Sequence, residues 1–250
     1  MRIVAKFGTS TVCDEDGRLN RAAVGDLSRQ TRALRALGHE VILVSSGAVG
    51  SGSGALGRVA ASLAEKQALA AVGQPLLMEA YRRAMDPLMV AQVLLTREDL
   101  DCDDRRLRSR RTMARLLDWG VVPVVNENDT VADEEIRVGD NDTLAARVAE
   151  LMGADLLVLL SDIDGLYTRD PHRDPEAERI PLVTDLTPAI QALGGPGGRW
   201  GTGGMRTKLE AARICWEAGI PTVIAHGRAE DVLLAAAEGT AVGTRFVPTV

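Results

Sequence analysis

The sequence predicts an α/β protein, in which a three-layer α/β/α sandwich forms around a mainly parallel open sheet. Short runs of aliphatic residues alternate along the 250 residues with longer segments of helical periodicity. Several of the short runs are apolar throughout, which is typical of strands buried on both faces of a parallel sheet. Aromatic residues make up only 3% of the chain, so we expect a core of small aliphatic side chains.

The predicted elements follow one another as strand and helix along the whole sequence. The strands span residues 2–7, 41–45, 90–95, 121–125, 156–161 and 222–225. The helices span residues 21–37, 58–72, 107–119, 144–152 and 208–218. Each of four helices is followed by a glycine, where a left-handed cap favours it: Gly38, Gly120, Gly153 and Gly219. This alternation predicts helical crossovers between parallel strands, within a single domain that covers residues 1–250.

Composition and charge exclude several classes of protein. The chain has 29 Lys and Arg against 35 Asp and Glu, and its net charge of −6 argues against a partner that is a nucleic acid. The basic run 105–111 follows the acidic run 99–104 and is interpreted as a solvated helix face. Cys13, Cys102 and Cys215 are too far apart to predict a zinc site or a disulfide framework. Since we find neither a signal peptide nor an apolar run of membrane length, we expect a cytoplasmic protein with no membrane partner.

Polar segments follow four of the predicted strands. They are residues 8–10, 45–47, 126–129 and 161–162. Open parallel sheets bind their ligands beyond the carboxyl ends of the strands, which is where these segments fall. The sequence therefore predicts a ligand site at that edge of the sheet.

Lys6 lies inside an otherwise apolar strand, where burial of its charge is costly unless an anion is close. Gly8 lets a phosphate approach the backbone, and Thr9 and Ser10 offer hydroxyl donors. The alternative is a lysine at a frayed strand end that points into solvent, and taken alone the segment leaves the two about equal. The Gly-Lys-Ser/Thr of a Walker A loop is missing.

The segment 45–54 is a succession of serine, glycine and alanine directly after the second strand. Small residues expose backbone N–H groups, which can form a nest for a carboxylate or a phosphate. The alternative is a flexible loop, as Gly/Ser runs often are. The position after a strand favours the nest.

Carboxylates and amides cluster at residues 126–130 and again at residues 139–143, just before a helix. Asp142 can be interpreted as an N-cap of that helix. An N-cap does not account for Asp129, Asp140 and Asn141, which together suit a substrate with an ammonium group or a metal held by oxygen ligands. The spacing is not that of an EF-hand.

Two further segments can contact phosphates or a nucleotide. Ser161 and Asp162 end a strand before an Asp-Gly turn, and a plain β-turn is the alternative. Residues 201–208 run from a glycine-rich stretch into a helix, which is a ready phosphate site. Lys208 falls in the first turn, where the helix dipole favours acids, and a bound polyphosphate would explain it better than an exposed lysine.

These segments, in this order, resemble the amino acid kinase superfamily and, within it, the glutamate 5-kinase family. The matching strings are 6–10 (Lys-Phe-Gly-Thr-Ser), 46–49 (Ser-Gly-Ala-Val), 126–129 (Asn-Glu-Asn-Asp), 138–142 (Val-Gly-Asp-Asn-Asp), 165–167 (Gly-Leu-Tyr), 170–171 (Asp-Pro), 201–205 (Gly-Thr-Gly-Gly-Met) and 207–208 (Thr-Lys). The resemblance extends from Lys6 to about Phe246. It implies a catalytic domain without the C-terminal PUA domain that many members carry.

The resemblance implies an activity and a set of ligands. The reaction would be ATP-dependent phosphorylation of the γ-carboxylate of L-glutamate, with Mg²⁺, to give γ-glutamyl phosphate for proline biosynthesis. It also implies a homo-oligomer, a dimer or a tetramer, that proline inhibits. The half of about residues 1–150 would bind the substrate, and the half of about 151–250 the nucleotide.

The resemblance also assigns roles to residues of this sequence. The catalytic residues would be Lys6, Asp142 and Lys208. The glutamate-binding residues would be Ser46, Gly47, Asn126, Asp129, Asp140 and Asn141. The nucleotide-binding residues would be Lys6, Ser161, Asp162, Thr202, Gly203, Gly204, Met205, Arg206, Thr207 and Lys208. No residue is assigned as a direct metal ligand, and Arg137 stands where relatives are expected to have a lysine, which is not an equivalent donor.

Three other functions are weighed against this one. Another kinase of the superfamily could act on acetylglutamate, aspartate, carbamate, UMP or isopentenyl phosphate. A non-catalytic ligand sensor on the same fold would not need Lys6, Asp142 and Lys208 together. A nucleic-acid-binding protein is opposed by the net charge of −6.

Overall fold

A computed structural model describes residues 1–14, 16–132, 141–171, 173–194 and 204–248. The strands are β1 (Arg2–Phe7), β2 (Glu40–Ser45), β3 (Val90–Leu95), β4 (Val122–Glu127), β5 (Leu156–Ser161), β6 (Leu166–Tyr167), β7 (Arg179–Ile180), β8 (Leu182–Val183), β9 (Thr222–His226) and β10 (Thr244–Phe246). The helices are α1 (Thr9–Val12), α2 (Arg21–Ala36), α3 (Ala48–Leu56), α4 (Leu63–Met85), α5 (Arg97–Asp101), α6 (Asp103–Asp118), α7 (Asn141–Met152), α8 (Pro188–Ala192), α9 (Met205–Glu217) and α10 (Val232–Glu238).

Eight of these strands form one sheet in the order β3-β4-β2-β1-β5-β9-β10-β8. Neighbouring strands are parallel except for the pair β9 and β10, so the predicted mainly parallel open sheet is confirmed. Strand β1 lies in the middle, with β2 on one side and β5 on the other. The chain thus continues in opposite directions from β1, which is where a crevice opens at the carboxyl ends of such a sheet.

Side chains of the central strands alternate between two hydrophobic clusters, one on each face of the sheet. In β1, Val4 joins one cluster, while Ile3, Ala5 and Phe7 join the other. The first cluster is completed by residues of α6, α7 and α9, and the second by residues of α2, α4 and α10. Since the sheet is covered by helices on both faces, the predicted three-layer sandwich is confirmed, and the near-continuous apolar strands have their physical reason.

The predicted glycine caps are also confirmed. Gly38, Gly120, Gly153 and Gly219 have φ angles of 83°, 75°, 59° and 72°, the left-handed region in which glycine is favoured. Each follows the helix that the sequence places before it, so the C-terminal ends of α2, α6, α7 and α9 lie close to their predicted positions.

The helix predicted for residues 58–72 is wrong at both ends. Helix α4 begins at Leu63, because the Ser62 side chain accepts a hydrogen bond from the backbone N–H of Glu65 and caps it. It then continues through Pro75 to Met85. Its packing against α3 outweighs the local cost of proline: a Cβ atom at Gly73 would overlap the carbonyl oxygen of Ala48.

The segment after β2 contains a helix that the sequence did not predict. The alternative of a flexible loop over residues 45–54 is wrong, because Ala48–Leu56 form helix α3. Small residues occur there because α3 and α4 approach each other backbone to backbone, and a Cβ atom at Gly52 would overlap the backbone of Leu69. Within the described residues, no helix is long and apolar enough to cross a membrane.

Candidate active site

The carboxyl ends of β1, β2, β4 and β5 meet the N-terminal ends of α7 and α9 at one edge of the sheet. Lys6 is the penultimate residue of β1, Asp142 lies in the first turn of α7, and Lys208 lies in the first turn of α9. Residues that are far apart in the sequence therefore share one position in the fold.

The centre of this edge is a trio of charged side chains. Lys6 Nζ lies 2.6 Å from Asp142 Oδ1, and Lys208 Nζ lies 3.0 Å from Asp142 Oδ2. The hydroxyl of Thr207 also contacts Asp142, with Oγ1 at 3.0 Å from Oδ2. One carboxylate thus holds two ammonium groups in fixed positions, one on each oxygen.

All three charged residues are buried. The exposed fraction is 3% for Lys6, 0% for Asp142 and 5% for Lys208. Charges of this kind persist inside a protein only when they are paired and hydrogen-bonded. Two ammonium groups against one carboxylate give the trio a net positive charge, which suits an anionic ligand.

Three of the structural alternatives are wrong at these positions. Lys6 does not lie at a frayed strand end, because its strand pairs with β2 and β5 on both sides. Asp142 is inside α7 and not its cap, since the helix already begins at Asn141. Lys208 is not an exposed lysine.

Small and polar residues surround the trio. A Cβ atom at Gly8 would lie 3.7 Å from Lys6 Nζ and 3.5 Å from the carbonyl oxygen of Leu160, so glycine keeps space open beside the ammonium group. Helix α9 begins after Gly204, and Thr207 Oγ1 lies 2.9 Å from the carbonyl oxygen of that glycine. The N-terminal N–H groups of such a helix favour phosphate.

A second polar cluster lies beside the trio. Asn141 Nδ2 donates to Ser46 Oγ at 2.9 Å, to the carbonyl oxygen of Ser45 at 3.1 Å and to Asn126 Oδ1 at 2.9 Å. These contacts join the ends of β2 and β4 to the start of α7. They bring together the predicted glutamate-binding residues Ser46, Asn126 and Asn141.

Gly47 has a structural role as well as its predicted binding role. Its φ angle is 105°, and a Cβ atom would lie only 2.6 Å from Val12 Cγ2. Replacement of Gly47 would therefore disturb α1 and the start of α3 even without a ligand. Asp129 lies in the turn after β4 and is partly buried, at the same edge of the sheet.

The predicted nucleotide residues fall at the ends of β5 and α9. Ser161 Oγ donates to Asp162 Oδ1 at 2.9 Å, and the Asp162 carboxylate is exposed at the rim. Met205 and Arg206 open α9. In the turn after β5, the carboxylate of Asp164 accepts a hydrogen bond from the Tyr167 hydroxyl at 2.8 Å. Asp164 therefore has a structural role.

Arg137, Asp140, Thr202 and Gly203 lie outside the described residues, as do Val138, Gly139 and Gly201 of the matching strings. Over the described ranges, no group of three or more His, Cys, Asp or Glu residues is arranged to hold a metal ion.

The sequence did not point to several residues that support the site. Tyr81 on α4 contacts Ser45 through its hydroxyl, at 2.8 Å, and burial raises the pKa of Tyr81, so the phenol stays neutral. Burial also raises the pKa of the Cys13 thiol, which lies against Ser51 of α3. Gln74, also on α4, accepts a hydrogen bond from Asn126. The residues of α4 lie near the site only because that helix packs there, so no sequence motif marks them.

Comparison with known proteins gives a family and several close relatives. The family model described as "Amino acid kinase family" matches residues 1–226. A glutamate 5-kinase from Symbiobacterium thermophilum is 55% identical over 98% of this chain and 95% of its own. A glutamate 5-kinase from Deinococcus radiodurans is 51% identical over 99% of this chain and 69% of its own.

Two solved structures share the fold at low sequence identity. A carbamate kinase from Giardia lamblia bound to AMP-PNP matches with a TM-score of 0.71 and 18% identity, over 99% of this chain and 98% of that one. A UMP kinase from Bacillus anthracis matches with a TM-score of 0.67 and 16% identity, over 100% of this chain and 96% of that one.

Proposed function

This chain belongs to the amino acid kinase family and, within it, to the glutamate 5-kinases. We propose that the buried trio of Lys6, Asp142 and Lys208 is the centre at which it transfers a phosphoryl group to L-glutamate. The chain is an enzyme, and its reaction is the phosphorylation of glutamate in proline biosynthesis. The proposal concerns where on the molecule the reaction takes place and which residues carry it out.

One observation carries the assignment of the site: two buried ammonium groups share one buried carboxylate at the central switch point of the sheet. Phosphoryl transfer depends on alignment and on neutralisation of charge, more than on covalent help from the protein. Lysines on either side of the phosphoryl group supply that charge. Asp142 holds both in place before the substrates arrive, so little reorganisation is needed during the reaction.

The chemistry requires no general base. The γ-carboxylate of glutamate is ionised at neutral pH, since its ordinary pKa is about 4.3. One of its oxygens forms a bond to the terminal phosphorus of ATP while the bond between that phosphorus and the bridging oxygen breaks. The products are ADP and γ-glutamyl phosphate, and no proton needs to be transferred.

On the glutamate side, Ser46, Asn141 and Asp129 are proposed as the main binding residues, and Gly47, Asn126 and Asp140 as further members of the set. The hydroxyl of Ser46 and the backbone N–H groups at the start of α3 can donate to a carboxylate. The carboxylate of Asp129 can balance the substrate ammonium group. The Ser46–Asn141 contact of 2.9 Å supports this assignment because it joins two of these residues directly.

On the nucleotide side, we propose Lys6, Ser161 and Asp162 together with the segment from Thr202 to Lys208. Mg²⁺ is proposed as the metal, bound mainly by phosphate oxygens. Mg²⁺ usually keeps several of its waters and is bound largely through substrate phosphates. When bound, it would neutralise charge on the distal phosphates.

We also propose that the chain forms a homo-oligomer and that proline inhibits it. Met89 and Trp119 support the oligomer: they are 66% and 69% exposed, and both lie at the same end of the neighbouring strands β3 and β4. Light scattering and inhibition by added proline test these two points. A cytoplasmic location stays a prediction from the sequence.

The experiment that tests the function is an ADP-release assay over a panel of acceptors, with hydroxylamine to trap an acyl phosphate. We expect glutamate to give both ADP and the hydroxamate. ADP release with carbamate, UMP, aspartate or acetylglutamate in place of glutamate would favour another kinase of the family. ATP binding without ADP release from any acceptor would favour a non-catalytic sensor.

A further inference from the structure

A chain of four side-chain amides leads from the edge of the sheet into the candidate active site. Gln74 Nε2 on α4 donates to Gln92 Oε1 on β3 at 3.0 Å. Asn126 Nδ2 on β4 donates to Gln74 Oε1 at 2.8 Å. Asn141 Nδ2 on α7 donates to Asn126 Oδ1 at 2.9 Å and also to Ser46 Oγ. The oxygens of Gln92, Gln74 and Asn126 thus each accept from the amide nitrogen of the next side chain in this series.

The chain of hydrogen bonds has one direction. An amide has one oxygen that accepts and one nitrogen that donates, so neighbouring amides must alternate. If Gln74 presented its nitrogen to Asn126, that amide would have to turn over and would present its own nitrogen to Asn141. The backbone fixes this direction as well, because Asn126 Oδ1 also accepts from the backbone N–H of Glu127 at 2.8 Å and Asn141 Nδ2 also donates to the carbonyl oxygen of Ser45 at 3.1 Å. Gln74 holds the other end of the Asn126 amide, since its oxygen accepts from Asn126 Nδ2.

Burial makes this orientation strict. Asn126 is 1% exposed, and Gln74 and Asn141 are each 8% exposed, so water has little access to replace a lost partner. A buried amide without its partner is costly, and it turns or shifts to regain one. A change at Gln74 that leaves Asn126 Nδ2 without an acceptor therefore favours a shift of the Asn126 side chain, and with it of the oxygen that accepts from Asn141.

The backbone at Gln74 is itself fixed. The preceding residue, Gly73, packs so closely on α3 that a Cβ atom would overlap the carbonyl oxygen of Ala48. Ala48 is the first residue of α3, next to Ser46 and Gly47. The amide of Gln74 thus has a defined place relative to the proposed glutamate-binding residues.

We propose that Gln74 is a positioning residue for glutamate. Its oxygen holds Asn126 Nδ2, and this keeps Asn126 Oδ1 in place as an acceptor for Asn141 Nδ2, beside Ser46. This inference rests on the proposed function, because it takes Asn141 and Ser46 as glutamate-binding residues. Gln74 does not touch the substrate, and the lysine trio does not depend on it.

The test is the Gln74→Met variant of the full chain, in which a side chain of similar size has neither donor nor acceptor. We expect the KM for glutamate to rise on the order of 10-fold, while the KM for ATP and kcat change less than about two-fold. Gln74→Glu should restore a low KM, because its carboxylate still accepts from Asn126 and the exposed Gln92 amide can turn to donate.

Gln30→Met is the matched control. Gln30 is fully buried on α2, and its amide bonds to Asp26 and to the backbone N–H of Leu233, away from the site. We expect this variant to lower the melting temperature without a change in the KM for glutamate. If Gln74→Met does the same, or if Gln74→Glu is as impaired in KM as Gln74→Met, the positioning role is wrong.

Asn141→Ala separates this inference from the proposed site. An unchanged KM for glutamate in Asn141→Ala would show that the glutamate site itself is misplaced. A raised KM in Asn141→Ala with an unchanged KM in Gln74→Met would overturn only the positioning role. When both changes are combined, Gln74→Met should add no further rise, because its effect passes through Asn141.

Discussion

Asp142 combines two roles that are usually separate, since it stabilises buried charges and also fixes the geometry of the site. Its two oxygens are each taken by a different lysine, at 2.6 Å and 3.0 Å. Removal of either lysine leaves one ion pair, whereas removal of the carboxylate leaves two buried ammonium groups that repel each other. The three residues should therefore respond differently to substitution.

We expect Asp142→Asn to lower the free energy of unfolding by about 3–5 kcal/mol, because it removes the counter-charge that the two buried ammonium groups share. Its kcat should fall on the order of 10²–10³-fold, since the lysines are no longer held in place. Lys208→Met should lower kcat to a similar extent with a smaller loss of stability, because the Lys6–Asp142 pair remains. Urea unfolding and steady-state kinetics on the same preparations measure both quantities.

Asp101→Asn is the control for this prediction. Asp101 also lies between two cations, with Arg97 at 3.0 Å and Arg147 at 2.5 Å, but it is exposed on the surface. Its loss should cost about 1 kcal/mol or less, and kcat should not change. Equal losses of stability in Asp142→Asn and Asp101→Asn would contradict the claim that burial makes the charges of the trio depend on Asp142.

At the scale of elements, the helix pair α3 and α4 packs beside the residues that are proposed to bind glutamate. Gly52 and Gly73 let the two backbones touch, and Gly47 begins α3 in the left-handed region. This contact holds the start of α3 beside Ser46 and places residues of α4 behind Asn126. The glycine-rich segment therefore builds a helix contact in addition to its proposed role as an anion nest.

Gly73→Ala should separate α3 from α4. The new methyl group would overlap the backbone of Ala48, so we expect a loss of at least about 2 kcal/mol in the free energy of unfolding. The KM for glutamate should rise as well, because Gln74 and the start of α3 move together. Urea unfolding and glutamate saturation curves check the two effects.

Gly25→Ala is the matched control, since Gly25 is also inside a helix, α2. Apart from its chain neighbours and the backbone of its own helix, no heavy atom of the described residues lies within 4 Å of where its Cβ would be. Alanine should stabilise this helix by about 0.5–1 kcal/mol and leave the KM unchanged. A destabilised Gly25→Ala, or a Gly73→Ala as stable as the parent, would count against the packing argument.

At the scale of the whole molecule, the sheet separates two cores and gathers the polar residues at one edge. Both substrates are proposed to meet there, with contributions from β1, β2, β4 and β5 and from two helix N-terminal ends. A ligand that contacts all of these elements favours the folded state over the unfolded one. Nucleotide binding should therefore be visible as global stabilisation.

We expect a non-hydrolysable ATP analogue with Mg²⁺, at about 100 times its Kd, to raise the free energy of unfolding by about 2.7 kcal/mol. AMP at the same concentration should stabilise much less, because it lacks the phosphates that Lys6 and Lys208 are proposed to contact. Chelation of Mg²⁺ should remove much of the effect of the analogue. Thermal unfolding measures the three conditions, and equal stabilisation by AMP would contradict phosphate contacts at the trio.

The sequence by itself determined the fold class, the set of residues at the strand ends, and, of the elements in the described part of the chain, six of ten strands and five of ten helices. These follow from local patterns: apolar runs give the strands, glycines end the helices, and polar residues after strands fall at one edge of a parallel sheet. Strands β1, β3 and β5 begin and end where the sequence predicts. Lys6 could be identified as a candidate site residue because burial of a charge in an apolar strand is costly unless an anion is close.

Only the tertiary structure decided that Lys6 and Lys208 meet on Asp142, that α4 runs through Pro75, and that Gln74 stands behind Asn126. Each of these depends on contacts between residues far apart in the chain, and no local pattern encodes such distances. Burial of the trio and close packing of α3 on α4 outweigh the local preferences for solvent exposure and for a helix break at proline. The sequence supplies the chemical groups, and the packing of the two cores fixes which of them come within hydrogen-bonding distance.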